Sequence, residues 1–122
     1  MNAGDTFLVP TLDDHLWIVI SDPAIDPVNV VLVCLLSWQP HHDQACILEQ
    51  GDHPFVKHST CVQYPWARTV ADAKLETLKR DGTLRLKDPL SASLLDRIRA
   101  SAANGDIPTG CYDVLRQQRF VP

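Results

Sequence analysis

Not one lysine or arginine occurs in the first 56 residues, a stretch that carries eight acidic side chains. All 11 basic residues follow from Lys57 onward, against seven acids, so one half of the chain carries −8 and the other +4. Any attraction for phosphate must therefore come from the second half. Long apolar runs are also lacking. The longest, Val28 to Trp38, spans 11 residues and contains Asn29 and Ser37, whereas a membrane-crossing helix needs roughly 20. It reads as a buried strand, and no membrane association is expected. Met1 to Pro10 shows neither a basic cluster nor the apolar stretch of a secretory leader, which predicts a cytoplasmic protein. No CxxC pair exists among Cys34, Cys46, Cys61 and Cys111. In a cytoplasmic chain such widely spaced cysteines read as reduced thiols, mostly in the core. A Gly-rich phosphate loop, a Gly-x-Ser-x-Gly elbow, a Ser-His-Asp order, repeats and low-complexity tracts are all missing, and no cofactor is expected.

What remains is the composition of an ordinary globular domain, with 45% hydrophobic and 21% charged residues in 122. One domain is expected, small enough that a homodimer is expected with it. Short apolar segments separated by turn residues predict strands at Thr6 to Val9, Leu16 to Ile20, Val28 to Trp38, Ala45 to Leu48 and Ser59 to Tyr64. Leu16 to Ile20 is apolar at every position, as a strand covered on both faces would be. After Trp66 the period changes. Ala71 to Arg80 predicts a helix stopped by Gly82, Leu84 to Leu86 a brief strand, and Tyr112 to Gln118 a last short helix. Asp88 and Pro89 read as the N-cap and first position of another helix, with Leu90, Leu94, Leu95, Ile98 and Ala102 as its apolar stripe. The resulting expectation is an α+β, mainly β fold. It would be a small barrel of antiparallel strands over residues 4–87, followed by a helical part over residues 88–118.

Gly4-Asp5, the apolar strand Trp17 to Ile20 ending in Ser21, the Val-rich strand around Val30 to Cys34, and Leu90-Ser91 before a closing helix form a recognisable order. In this layout the chain resembles the PemK/MazF-like growth-inhibitor toxins, the ribonuclease halves of toxin–antitoxin pairs. The resemblance implies an SH3-like barrel, metal-independent cleavage of single-stranded RNA, a homodimer and an antitoxin partner. Two departures stand beside it. The family's Arg-Pro pair before the second strand is His15-Leu16 here, and its long basic first loop is short and acidic, Thr11 to His15. The family's Arg and Thr catalytic elements therefore do not carry over.

The densest chemistry lies in Gly51 to Tyr64. One reading makes His53 and His58 the general base and acid, since imidazole exchanges protons near neutral pH. Lys57 then clamps the phosphate, while Thr60 and Tyr64 orient the reacting groups. The other reading is a hairpin turn whose histidines bond to loop backbone and solvent. His41, His42, Cys46, His53, His58 and Cys61 could alternatively ligate zinc, although their spacings match no zinc-finger or ribbon pattern; no metal is assigned. Arg68, Lys79, Arg80, Arg85 and Lys87 are the candidate nucleic-acid-binding cations, joined by Lys74, Arg97 and Arg99, with Trp66 or Tyr64 available to stack a base. The same cations also read as solvated helix faces interleaved with acids. A non-catalytic SH3-like module that recognises a protein or nucleic-acid partner is the competing function.

Overall fold

Continuous apolar strands need cover on both faces, and the computed structural model, which describes Met1–Pro122, shows how that cover is supplied. Seven strands form one sheet: β1 (Thr6–Leu8), β2 (Trp17–Val19), β3 (Val30–Ser37), β4 (Ile47–Leu48), β5 (Thr60–Val62), β6 (Arg68–Val70) and β7 (Arg85–Lys87). Three helices pack with it: α1 (Asp72–Arg80), α2 (Ala92–Ser101) and α3 (Thr109–Gln117). Every strand pair is antiparallel, in the order β4-β5-β3-β2-β1-β7, with β6 also on β3.

Alternation along the strands divides the core in two. Leu16, Ile18, Ile20, Val31, Val33 and Leu35 point to one face, where Leu94, Leu95, Ile98, Val114 and Leu115 of α2 and α3 meet them. Phe7, Trp17, Val19, Val30, Leu32 and Cys34 point to the other, covered by Leu75 of α1 and by Leu84. Full burial of each such side chain contributes about 1.5–3 kcal/mol, so both faces of the sheet stabilise the fold.

The expected barrel does not close. The sheet ends at β4 on one side and β7 on the other, and these ends do not pair. A small closed barrel would turn one face inward; here helices occupy both faces, so the sheet stays open between them. The α+β class and antiparallel pairing expected from the sequence are present.

β5 and β6 act as one interrupted strand along a single edge of β3. Val62 sits opposite Leu35, and Arg68 opposite Leu32. Between them the chain leaves the ladder for a single 3-10 turn, Tyr64–Trp66. Pro65 has no N–H to give to a ladder, which forces the break there. The turn swings Tyr64 into the α2–α3 core, where its hydroxyl donates to the Ile98 carbonyl at 2.8 Å, and leaves Trp66 outside.

Helix α2 begins later than expected. Ser91, not Asp88, is its N-cap, accepting the Leu94 N–H on its hydroxyl at 3.2 Å. The Asp88 carbonyl instead accepts from the Thr6 hydroxyl at 2.6 Å, while Leu90 N–H donates to the Gly4 carbonyl at 2.8 Å. Residues 88–90 are thereby tied to the start of the chain rather than wound into a helix. Arg99 departs from its expected solvated position as well. It is buried, its Nε donating to the Ile20 carbonyl at 2.6 Å and its guanidinium lying 3.5 Å from the centre of the Phe120 ring. Burial pushes its pKa down from the ordinary arginine value.

Candidate functional site

The segment from Glu49 to Ser59 is an irregular loop whose turn is made by Gly51 at φ +103°. Three polar anchors hold it. The Asp52 carboxylate accepts the Glu49 N–H at 2.9 Å and the Arg97 guanidinium of α2 at 3.1 Å. His53 Nε2 lies 2.6 Å from the Asp88 carbonyl, and its Nδ1 accepts the Phe55 N–H at 3.1 Å. Ser59 donates to the Glu49 carboxylate at 2.8 Å. With both ends held, Phe55, Lys57 and His58 project outward.

These anchors separate the two histidines expected to work as a pair. His53 is only 5% exposed. Since Nδ1 accepts a backbone N–H, the ring proton resides on Nε2, where it is donated to the Asp88 carbonyl. Both nitrogens are thus occupied, and the edge of the ring faces a separate depression with Pro54, Lys87 and Asp88. His58 lines a different hollow of about 540 Å³. The base–acid couple of His53 and His58 is therefore not assembled. Tyr64 leaves the site as well, because it is wholly buried with its hydroxyl bonded to Ile98; burial raises its pKa. Lys57 and Thr60 do line the hollow with His58. Thr60 spends its hydroxyl on the His58 carbonyl at 2.8 Å, so it positions the backbone of His58.

The hollow brings in residues from elsewhere. Ser37, at the end of β3, has its hydroxyl 2.8 Å from His58 Nε2. His15 enters from the loop between β1 and β2, beside Asp14, with 3.7 Å from Nδ1 to the carboxylate, and its ring centre is 5.8 Å from that of Trp66. Gln39 and His42 complete the polar lining, and the Nδ1 of His42 is buried without a partner. Trp66 and Phe55 are 48% and 40% exposed. Three imidazoles, one ammonium and two exposed aromatic rings therefore surround one open space. Ser37 carried a weak signal in the sequence, as the lone hydroxyl closing an apolar strand; His15 and Trp66 carried none that tied them to His58.

The adjacent acids Asp13 and Asp14 have separate tasks. Asp13 accepts the Trp17 indole N–H at 3.3 Å and the His15 N–H at 3.1 Å, fixing the loop, while Asp14 remains free beside His15. Asp13 also adds to the effect of burial on Cys34, whose thiol is pushed up to about 12. All four cysteines are free and buried. No group of three His, Cys, Asp or Glu side chains converges as a metal site, so the zinc alternative has no set of ligands here.

The expected cationic surface is dispersed. Arg68 lies over the Trp17 ring, 5.1 Å from its centre, on the α1 side of the sheet. Lys79 pairs with Glu76 at 3.0 Å on α1, near Arg80. Arg85 and Lys87 are exposed on the terminal strand β7. Of these cations only Lys87 borders a depression near the loop, the one beside His53.

Asp52 offers a test of the loop anchors. Its hydrogen bonds to Glu49 and Arg97 hold its pKa below the ordinary carboxylate value. Such a group stabilises the fold fully above the unfolded-state pKa and loses that contribution as pH falls through the depressed folded value. Asp52→Asn is expected to lower stability at pH 7 by about 1 kcal/mol or less, given its exposure. The difference from the parent should shrink as urea titrations move below pH 4; a gap that stays constant to pH 2 would refute the role given to this carboxylate.

No protein-family model matches the chain, nor does any curated protein or solved structure. These comparisons lend no support to the resemblance to the PemK/MazF toxins suggested by the order of segments. No helix is long and apolar enough to cross a membrane.

Proposed function

We propose that the hollow at the end of β3 binds single-stranded RNA and cleaves it without a metal ion. The observation that carries this reading is the convergence of His58, His15 and Lys57 with the exposed rings of Trp66 and Phe55 around one open space. Within the hollow, His58 has a hydrogen-bonding partner that can orient its ring, the Ser37 hydroxyl, and His15 has the Trp66 ring 5.8 Å away and the exposed Asp14 carboxylate nearby. One removes the proton from a ribose 2′-hydroxyl, and the oxygen attacks the adjacent phosphorus. The other returns a proton to the departing 5′-oxygen, leaving a 2′,3′-cyclic phosphate. Lys57 lies on the same rim and neutralises charge developing on the phosphate. The aromatic faces stack flanking bases without strong sequence preference. An antitoxin partner and a homodimer belong to the same proposal.

The test is incubation of the purified protein with single-stranded RNA in EDTA. Cleavage with cyclic-phosphate ends is expected, and His58→Ala should slow it by about 100-fold or more while leaving the unfolding midpoint unchanged. No cleavage by the parent protein, or undiminished cleavage by the variant, rejects the catalytic reading. RNA retention without cleavage identifies a binding module instead.

A further inference from the structure

A second depression lies on the α1 side of the sheet. The loop between β1 and β2 separates it from the hollow: Leu12 faces the depression, whereas Asp14 and His15 face the hollow. Its volume is about 480 Å³, within the roughly 300–1,000 Å³ of small-ligand sites. The walls are apolar, with Phe7, Trp17, Leu32 and Leu75 in the floor and Leu78 to the side, and Leu12 hangs over the mouth 59% exposed. Two cations flank this apolar space. Arg68 lies over the Trp17 ring, and Lys74 projects from the first turn of α1. Neither forms an ion pair with a carboxylate.

We propose that this groove is a binding site for a small amphiphile with an aliphatic body and a carboxylate head, of the medium-chain fatty acid class. The body covers the half-exposed Val9, Val70 and Leu78 and the exposed Leu12, above a floor already closed by Trp17 and Leu32, and removing that apolar area from water is favourable. The head meets Arg68, whose planar fork donates to both carboxylate oxygens, and Lys74, which adds a second positive charge. A neutral amphiphile leaves both cations unmatched, and a purely polar anion leaves the floor wet. The site is independent of RNA cleavage and stands or falls separately from it.

Decanoate is the probe, titrated against the full chain by calorimetry while the Trp17 indole resonance is followed by NMR. Saturable binding with a Kd on the order of 0.1–1 mM is expected for a ligand of this size, with the Trp17 signal shifting in step. Decanol should bind at least about tenfold more weakly, and so should decanoate to Lys74→Glu and to the Arg68→Glu, Lys74→Glu double variant. The single variant serves where loss of the Arg68–Trp17 contact disturbs folding. Absence of saturable binding, equal binding of decanol, or undiminished binding by Lys74→Glu overturns the proposal. Binding of an acidic amphipathic peptide at this groove with no response to decanoate overturns it also, and assigns the face to a protein partner.

Discussion

Tyr64→Ala is expected to remove about 3–5 kcal/mol of stability, the range for deleting a large aromatic side chain from a packed core. Tyr64 is fully buried among side chains from the sheet, α2 and α3, and it occupies the point where the β5–β6 edge leaves the ladder. Its removal opens a cavity at the junction of all three elements and frees the Ile98 carbonyl from its hydroxyl partner. The thermal midpoint should fall by roughly 10–20 °C for a domain of this size. Tyr64→Phe keeps the ring and should cost only about 1 kcal/mol. Gly105 provides an independent measure of the same packing. A Cβ placed there would lie 2.5 Å from Cδ2 and 2.8 Å from Cγ of Tyr64, closer than a buried ring can accommodate without moving. Gly105→Ala is therefore expected to cost about 1–3 kcal/mol by overpacking. In Tyr64→Ala the ring is gone, so adding Gly105→Ala should cost little or nothing further. Urea unfolding of the four members of this cycle measures the coupling; additive penalties would show that Gly105 and the ring do not meet as described.

The same ring shows where the sequence is readable and where it is not. Thr60, Val62 and Tyr64 alternate as strand residues do, and local alternation carries no sign of the turn that Pro65 imposes one residue later. Reading Pro65 as a break in the ladder would have removed Tyr64 from the strand, but only the position of α2 determines that it turns inward. The apolar segments on β2 and β3 were legible because their residues are apolar at nearly every position, and cover on both faces is the physical meaning of that pattern. Closure was not legible. Short antiparallel strands are common to barrels and to open sheets, and the choice depends on whether helices claim the second face, here through Leu75 of α1.

At the candidate site the sequence indicated part of the lining of the hollow but not the rest. Lys57, His58 and Thr60 are neighbours in the chain and line one hollow, whereas Ser37, His15 and Trp66 reach it through pairing of distant strands. His53 is only five residues from His58, yet the loop between them turns its ring onto residue 88. Spacing along an irregular loop sets no common direction for side chains, as it would along a helix or strand. The divergent tasks of Arg68 and Arg99 have the same origin. Both are basic residues in a basic half, but one lies over an indole and the other is buried against Phe120.

Opposite consequences are therefore expected when the two histidines are replaced in turn. His53→Ala should lower stability by about 2–4 kcal/mol, because it removes a buried ring with hydrogen bonds at both nitrogens and leaves the Phe55 N–H without its acceptor. The Asp88 carbonyl retains the Thr6 hydroxyl, which keeps the penalty below that of an orphaned acceptor. The Arg97–Asp52 and Ser59–Glu49 contacts still hold the loop, so the folded fraction of this variant should cleave RNA at close to the parental rate. His58→Ala should do the reverse. Its ring is exposed and its one side-chain partner, Ser37, can turn to water, so stability should change by about 0.5 kcal/mol or less while cleavage is lost. Unfolding curves and single-turnover cleavage of both variants, taken under conditions where each is folded, measure the two properties separately. A stable His53→Ala protein that has lost cleavage would return the ring at 53 to the chemistry and remove the role assigned to its bond with residue 88. A destabilised His58→Ala protein would mean that the hydrogen bond to Ser37 supports the fold rather than orienting an imidazole for proton transfer.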